Sequence, residues 1–158
     1  MITLKSPFGT LFLSNKYSIA KIRNNGTSIG ITPVIAIGTT DLHSSAQLDL
    51  SHTTDRSVAI VRETIHEEID IASSPFLTLL PHLHGKTLSQ VTDAARIAFT
   101  TALREKNVPV YEYEIDTSSA WDVGYGMQTK MLEVAYLARL FGVNAFDQPN
   151  VEDYKKIM

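Results

Sequence analysis

The sequence contains no cysteine. That excludes disulfides, thiolate metal centres and cysteine nucleophiles, and it fits a cytoplasmic protein. A basic block is also missing. Lys and Arg number 14 against 17 Asp and Glu, for a net charge of −3, which argues against an electrostatic footprint on nucleic acid. No basic stretch leads into a long apolar segment near the N-terminus, so nothing reads as a secretory leader. The most apolar stretch, residues 131–146, is broken by Glu133 and Arg139 and does not read as a membrane span. Without secretion, Asn25-Gly26-Thr27 is simply a turn. No acidic residue precedes Asp41.

What is present fits one domain. The 158 residues are 44% apolar and 20% charged, ordinary for a soluble globular chain with a sizeable core. Residues 1–28 read as an irregular N-terminal segment, with a short strand at 10–13 and a turn at Asn24-Asn25-Gly26. Residues 31–38, ITPVIAIG, read as a strand buried on both faces, with Pro33 near its start. Thr39-Thr40-Asp41 supplies capping residues for a short helix over about 42–50. A second strand is expected at 57–63, an exposed acidic linker at 66–71 and a helical turn at 73–80.

Thr87 opens an amphipathic helix on which Leu88, Val91, Ala95, Ala98 and Ala102 share a face, ending near Lys106-Asn107. Residues 108–115, VPVYEYEI, alternate as a more exposed third strand. A long helix is expected from about 119 to 141 with Gly142 as its stop. Its apolar second half predicts burial on more than one side. Asp147 caps a last short helix with Pro149 in its first turn. Alternating strands and helices predict an α/β fold, a three-layer α/β/α sandwich on a mainly parallel sheet. Residues 29–146 form that domain, and 147–158 a C-terminal helical arm.

In such sheets ligands sit at the carboxyl ends of strands. The best junction is Gly38-Thr39-Thr40-Asp41-Leu42-His43-Ser44. Glycine lets the backbone turn closely, free N–H groups follow for an anion, and His43 in the first turn tends to stay neutral and able to exchange protons. The plain alternative is a histidine that covers a helix start. Gly85-Lys86-Thr87 lacks the first glycine of a phosphate loop, since Leu80 stands there, and reads as a loop and cap. His66-Glu67-Glu68 lacks the second histidine of a zinc-protease helix because position 70 is Asp70. His82 and His84 form a metal pair without a third ligand. Lys155 and Lys156 complement the dipole of the last helix and pair with Glu152.

The run from Phe141 to Lys155, with Gly142, Asn144, Phe146-Asp147-Gln148 and Val151-Glu152 in register, resembles the C-terminal signature G-x-N-x-F-D-Q-x-x-V-E of the phosphoglucose isomerase family. Residues 30–44 with Gln47 resemble a second block of that family, in the same order. The resemblance runs from about Tyr17 to the C-terminus. It implies the second of two sugar-isomerase (SIS) domains, in an enzyme of glycolysis and gluconeogenesis. That enzyme interconverts glucose 6-phosphate and fructose 6-phosphate through an ene-diolate. It further implies ring opening by His43, a lysine at the sugar ring oxygen at Lys155 and a substrate contact at Gln148. Thr39 and Thr40 join Gln148 as expected substrate contacts. No metal or organic cofactor is implied.

The departures are specific. The family's proton-moving glutamate lies in an E-S-x-G-K stretch, and the nearest run here is Phe12-Leu13-Ser14-Asn15-Lys16, with a phenyl ring in place of the carboxylate. The family's phosphate loop and catalytic arginine belong to an upstream portion. Two outcomes follow: an isomerase domain incomplete alone, or a non-catalytic domain that binds sugar phosphate or dimerises. The expected partners are a sugar phosphate and either a second copy or an N-terminal SIS chain, with no nucleic acid and no membrane.

Overall fold

The segment SVAIVRE carries four consecutive apolar residues, and in the computed structural model it becomes the strand on which the sheet is centred. The structure describes residues 2–4, 20–23, 25–43, 45–51, 56–72 and 75–158, without the side chains of 2–4, 43, 45, 48, 75, 76, 150 and 154. Four parallel strands, β1 (Ile2–Leu4), β4 (Pro33–Ile35), β5 (Ser57–Glu63) and β6 (Val110–Ile115), lie in the order β4-β1-β5-β6. Thr3 is in register with Val34 on one side and Val58 on the other, and Ala59 is in register with Tyr111. A small antiparallel ribbon joins β2 (Lys21–Ile22) to β3 (Ser28–Ile29). Asn25-Gly26 forms its turn, with Gly26 at φ 81°.

Two expectations change here. The segment expected to be irregular contributes β1 to the middle of the sheet, together with β2 and the start of β3. The strand expected at 10–13 lies outside the described residues. The β-branched segment 31–38 yields only three strand residues, and β1 displaces it to an edge. Val34 and Ile35 are consequently 36% and 40% exposed rather than buried on both faces.

The helices fall where their signals stand. A 3-10 turn over Asp41–His43 precedes α1 (Ser45–Ser51), later than the expected start at 42. Helix α2 (Leu88–Glu105) is capped by Thr87, whose hydroxyl accepts from the Gln90 amide while the Gln90 side chain returns to the Thr87 amide. Helix α3 (Ala120–Phe141) has Ser119 as its cap and stops at Gly142, at φ 69°. Helix α4 (Pro149–Lys155) closes the chain.

Alternate β5 side chains enter different clusters. Val58 and Ile60 pack with Ala46 of α1, Phe99 and Leu103 of α2, and Val108. Ala59 and Val61 pack with Ile115 and, from α3, Met127. Val58 and Leu103 are wholly buried, each contributing about 1.5–3 kcal/mol. A third cluster joins Val134 and Ala138 of α3 to Ile31 and Val143. The buried Lys21 ammonium reaches the Asn144 carbonyl and the Asp147 carboxylate, and the Arg23 Nε donates to the Phe141 carbonyl at 2.6 Å. These bonds tie the C-terminal arm to β2. Asp147, expected as a cap, has its carboxylate on Lys21, while the Gln148 carbonyl accepts the first α4 bonds.

The second half of α3 is not buried on several sides. Leu132, Tyr136 and Leu140 are 50%, 72% and 78% exposed. The apolar pattern identified a sticky helix, but the sheet covers only one of its faces.

Candidate functional site

The β4 carboxyl end turns through residues 37–43. The Asp41 carboxylate accepts the Ile37 amide at 2.5 Å, and the Asp41 amide donates to the Ile37 carbonyl at 3.0 Å. The Thr40 amide donates to the Gly38 carbonyl at 2.9 Å. Inside this double closure Thr39 has φ 63°, a left-handed conformation uncommon for a β-branched residue and held by its surroundings.

Gly38 and Thr39 form one wall of a cavity of about 480 Å³, opposite the ends of β5 and β6 and the first half of α2. Arg62 and Arg96 supply its positive charge, and both are bonded to carboxylates. The Arg96 Nε lies 3.0 Å from Asp93 Oδ1, and its Nη1 reaches Glu112 Oε2. The Arg62 nitrogens lie 4.0 Å from Asp93 Oδ2 and 3.4 Å from Glu114 Oε1. Asp93 thus bridges two guanidiniums, and its hydrogen bond holds Arg96 still more firmly protonated. At the rim, hydrogen bonds from Ser89 and Thr87 keep the Glu68 carboxyl below its ordinary range. A cleft with paired charges of both signs suits a polar, hydroxyl-rich ligand better than a bare anion.

A second cluster ties the ends of β5 and β6 together. His66 Nε2 is 2.9 Å from Asp116 Oδ1, and Ser118 Oγ donates to the same oxygen at 2.6 Å. Ser118 Oγ also lies 3.2 Å from His66 Nε2. A nucleophile relay needs serine and carboxylate on opposite ring nitrogens. Here both address one nitrogen, so the cluster is a lock between loops. Ser118 first, then His66, pull the Asp116 carboxyl down to about 2.

The expected site residues are distributed as follows. Thr39 lines the cavity, and Thr40 is exposed in the adjoining turn. His43 ends the 3-10 turn, and its side chain lies outside the described ones. Gln148 and Lys155 are exposed at the two ends of α4 and are not among the residues that line the cavity. Lys155 Nζ sits 2.8 Å from Glu152 Oε1, the pairing its spacing predicts. His82 and His84 are exposed, and among the described residues no group of three possible ligands is placed for a metal. Gly85-Lys86-Thr87 is the expected loop and cap. Sequence reasoning missed Arg62, Asp93 and Arg96. The signal for Arg62 was available, since it ends a strand whose carboxyl edge is where ligands bind.

No family model matches the chain. Among curated proteins, glucose-6-phosphate isomerase of Thermus thermophilus is 37% identical over 136 residues, covering 85% of this chain and 33% of that protein. The enzyme of the same name from Rubrobacter xylanophilus is 35% identical over 136 residues, covering 81% and 30%. That of Lactobacillus gasseri is 34% identical over 131 residues, covering 82% and 29%. The crystal structure of a hypothetical protein from Thermus thermophilus superposes on 99% of this chain and 39% of its own, with a TM-score of 0.87 and 32% identity. The chain spans about a third of the length of the curated relatives it matches. It is thus related to glucose-6-phosphate isomerases through one part of them. Among the described residues no helix is long and apolar enough to cross a membrane.

Proposed function

We propose that this chain is the C-terminal SIS portion of a glucose-6-phosphate isomerase, a three-layer α/β/α sandwich that acts on a sugar phosphate in the cytoplasm. The observation that carries the reading is the match over 136 residues with enzymes of that name. The strained Thr39 turn on the rim of the cavity supports it. In this reading the His43 imidazole moves a proton at the sugar ring oxygen and opens the ring. The Lys155 ammonium stabilises negative charge that develops on oxygen. The Gln148 amide, with Thr39 and Thr40, orients sugar hydroxyls. A separate N-terminal SIS portion supplies the carboxylate that carries the proton between C1 and C2, because Phe12 stands at the matching position here.

The test is conversion of fructose 6-phosphate and calorimetric binding of 6-phosphogluconate. The purified chain alone leaves fructose 6-phosphate unconverted. Turnover abolished by His43→Ala would overturn that division of labour. Binding weakened about tenfold by His43→Ala and by Lys155→Ala fits the assigned roles. Binding unchanged in both variants removes the site from α4 and the 3-10 turn. Phe12 also favours a second reading, a non-catalytic SIS domain that binds sugar phosphate or dimerises. That reading predicts binding without turnover even when an N-terminal SIS portion is supplied.

A further inference from the structure

Lys21 keeps a charged side chain only 6% exposed within the fold. A buried ammonium persists only where polar partners replace its water. Its partners are the Asn144 carbonyl and the Asp147 carboxylate, 123 and 126 residues further along the chain. The bond from Lys21 holds the Asp147 carboxyl below its ordinary range. Lys21 is itself fixed, because it stands in register with Ile29 across the ribbon of β2 and β3. Arg23, just past β2, reaches the Phe141 carbonyl at the end of α3, one of the carbonyls a helix leaves without an internal partner. Beyond Asp147, packing gives little support. Among the described side chains of α4 only Val151 is not exposed, and Phe146 is 88% exposed.

We propose that Lys21 is a positioning residue: by gripping the chain at Asn144 and Asp147 it sets where Gln148 and Lys155 stand. The proposal rests on the reading that those two side chains meet the sugar phosphate. Asp147 adjoins Gln148, and the Gln148 carbonyl accepts the amides of Val151 and Glu152 in the first turn of α4. A displacement of Asp147 therefore carries α4 with it, and Lys155 stands at the far end of that lever. Misplacement of a substrate-positioning group by about 1 Å costs on the order of a hundredfold in rate. Arg23 does not substitute, because its bond ends at α3. A methionine at position 21 keeps an apolar stem and removes the charge. The Asp147 side chain is 53% exposed and keeps water as a partner in that variant, so the fold survives while α4 loses its anchor.

Nitrogen-15 relaxation on the full chain tests the anchor. In the unmodified chain the amide order parameters between 148 and 155 are expected at about 0.85, and in Lys21→Met below about 0.6, with α2 rigid in both. Equal order in the two proteins, high or low, would overturn the anchor. Calorimetry with 6-phosphogluconate then reads the site. Lys21→Met should weaken binding about tenfold alone, and less than about twofold when Gln148→Ala and Lys155→Ala are already present, because groups that act through one another do not add. A full loss in that background would mean that Lys21 acts elsewhere, and would overturn the positioning role. Binding weakened by Lys155→Ala and untouched by Lys21→Met would overturn the proposal while the isomerase reading stands. Binding untouched by both Gln148→Ala and Lys155→Ala overturns that reading, and the proposal with it.

Discussion

Helices α2 and α3 are both long and both capped by a hydroxyl side chain, yet they meet the sheet differently. Helix α2 buries Phe99 and Leu103 in the largest cluster and lines the charged cavity with its first half. Helix α3 buries Val134, Ala138 and Lys130, and leaves Trp121, Tyr125 and Tyr136 outside. The Lys130 ammonium lies 2.7 Å from Glu133 Oε2 and 3.5 Å from the Tyr113 ring centre, so even its covered side is partly polar. The contrast teaches that apolar periodicity marks a face that wants cover without naming what provides it. On α2 the sheet covers Phe99 and Leu103, while Leu88 and Ala98 of the expected face stay exposed, and on α3 the sheet reaches only part of the circumference.

The sharpest way to test that contrast is to remove a leucine from each helix. Leu103→Ala should cost about 3 kcal/mol, because a fully buried side chain leaves a cavity. Leu140→Ala, at 78% exposure, should cost less than about 0.5 kcal/mol in dilute chain. Urea denaturation measures both, and similar costs would erase the distinction. Next in size, Thr87→Ala should remove about 1 kcal/mol by breaking the capping box of α2, with Thr87→Ser restoring most of it. Gly142→Ala should cost a similar amount, about 1 kcal/mol, since φ 69° suits glycine. A neutral result there would mean that the end of α3 rearranges.

The smallest effect concerns the loop lock. With its carboxyl held near 2, Asp116 stays ionised where an unfolded carboxylate near pH 3.9 is already protonating. A lowered folded value stabilises the native state above the unfolded value, and that contribution disappears as pH falls from about 4 through about 2. Carboxyl chemical shifts against pH should show the Asp116 midpoint rising more in Ser118→Ala than in His66→Ala.

The sequence revealed most where a signal is local. Thr87, Lys106-Asn107, Ser119 and Gly142 placed the ends of both long helices. It misled where a neighbour far along the chain decides. Residues 31–38 look like a central strand, but β1 takes the central place, and the three residues of β1 carry too little pattern to announce it. The turn before His43 was legible from its glycine and capping residues. The Asp93 and Arg96 wall was not, because charged residues on a helix read as ordinary surface until folding brings them to one cleft.

The central position of β1 also sets an order of assembly. Its hydrogen-bonding neighbours on the two sides begin at residues 33 and 57. A ribosome therefore releases this strand well before either neighbour exists. The four-stranded core is complete only once β6, the last of its strands, has emerged, and until β4 and β5 arrive the two backbone edges of β1 wait in the nascent polypeptide for a chaperone to shield.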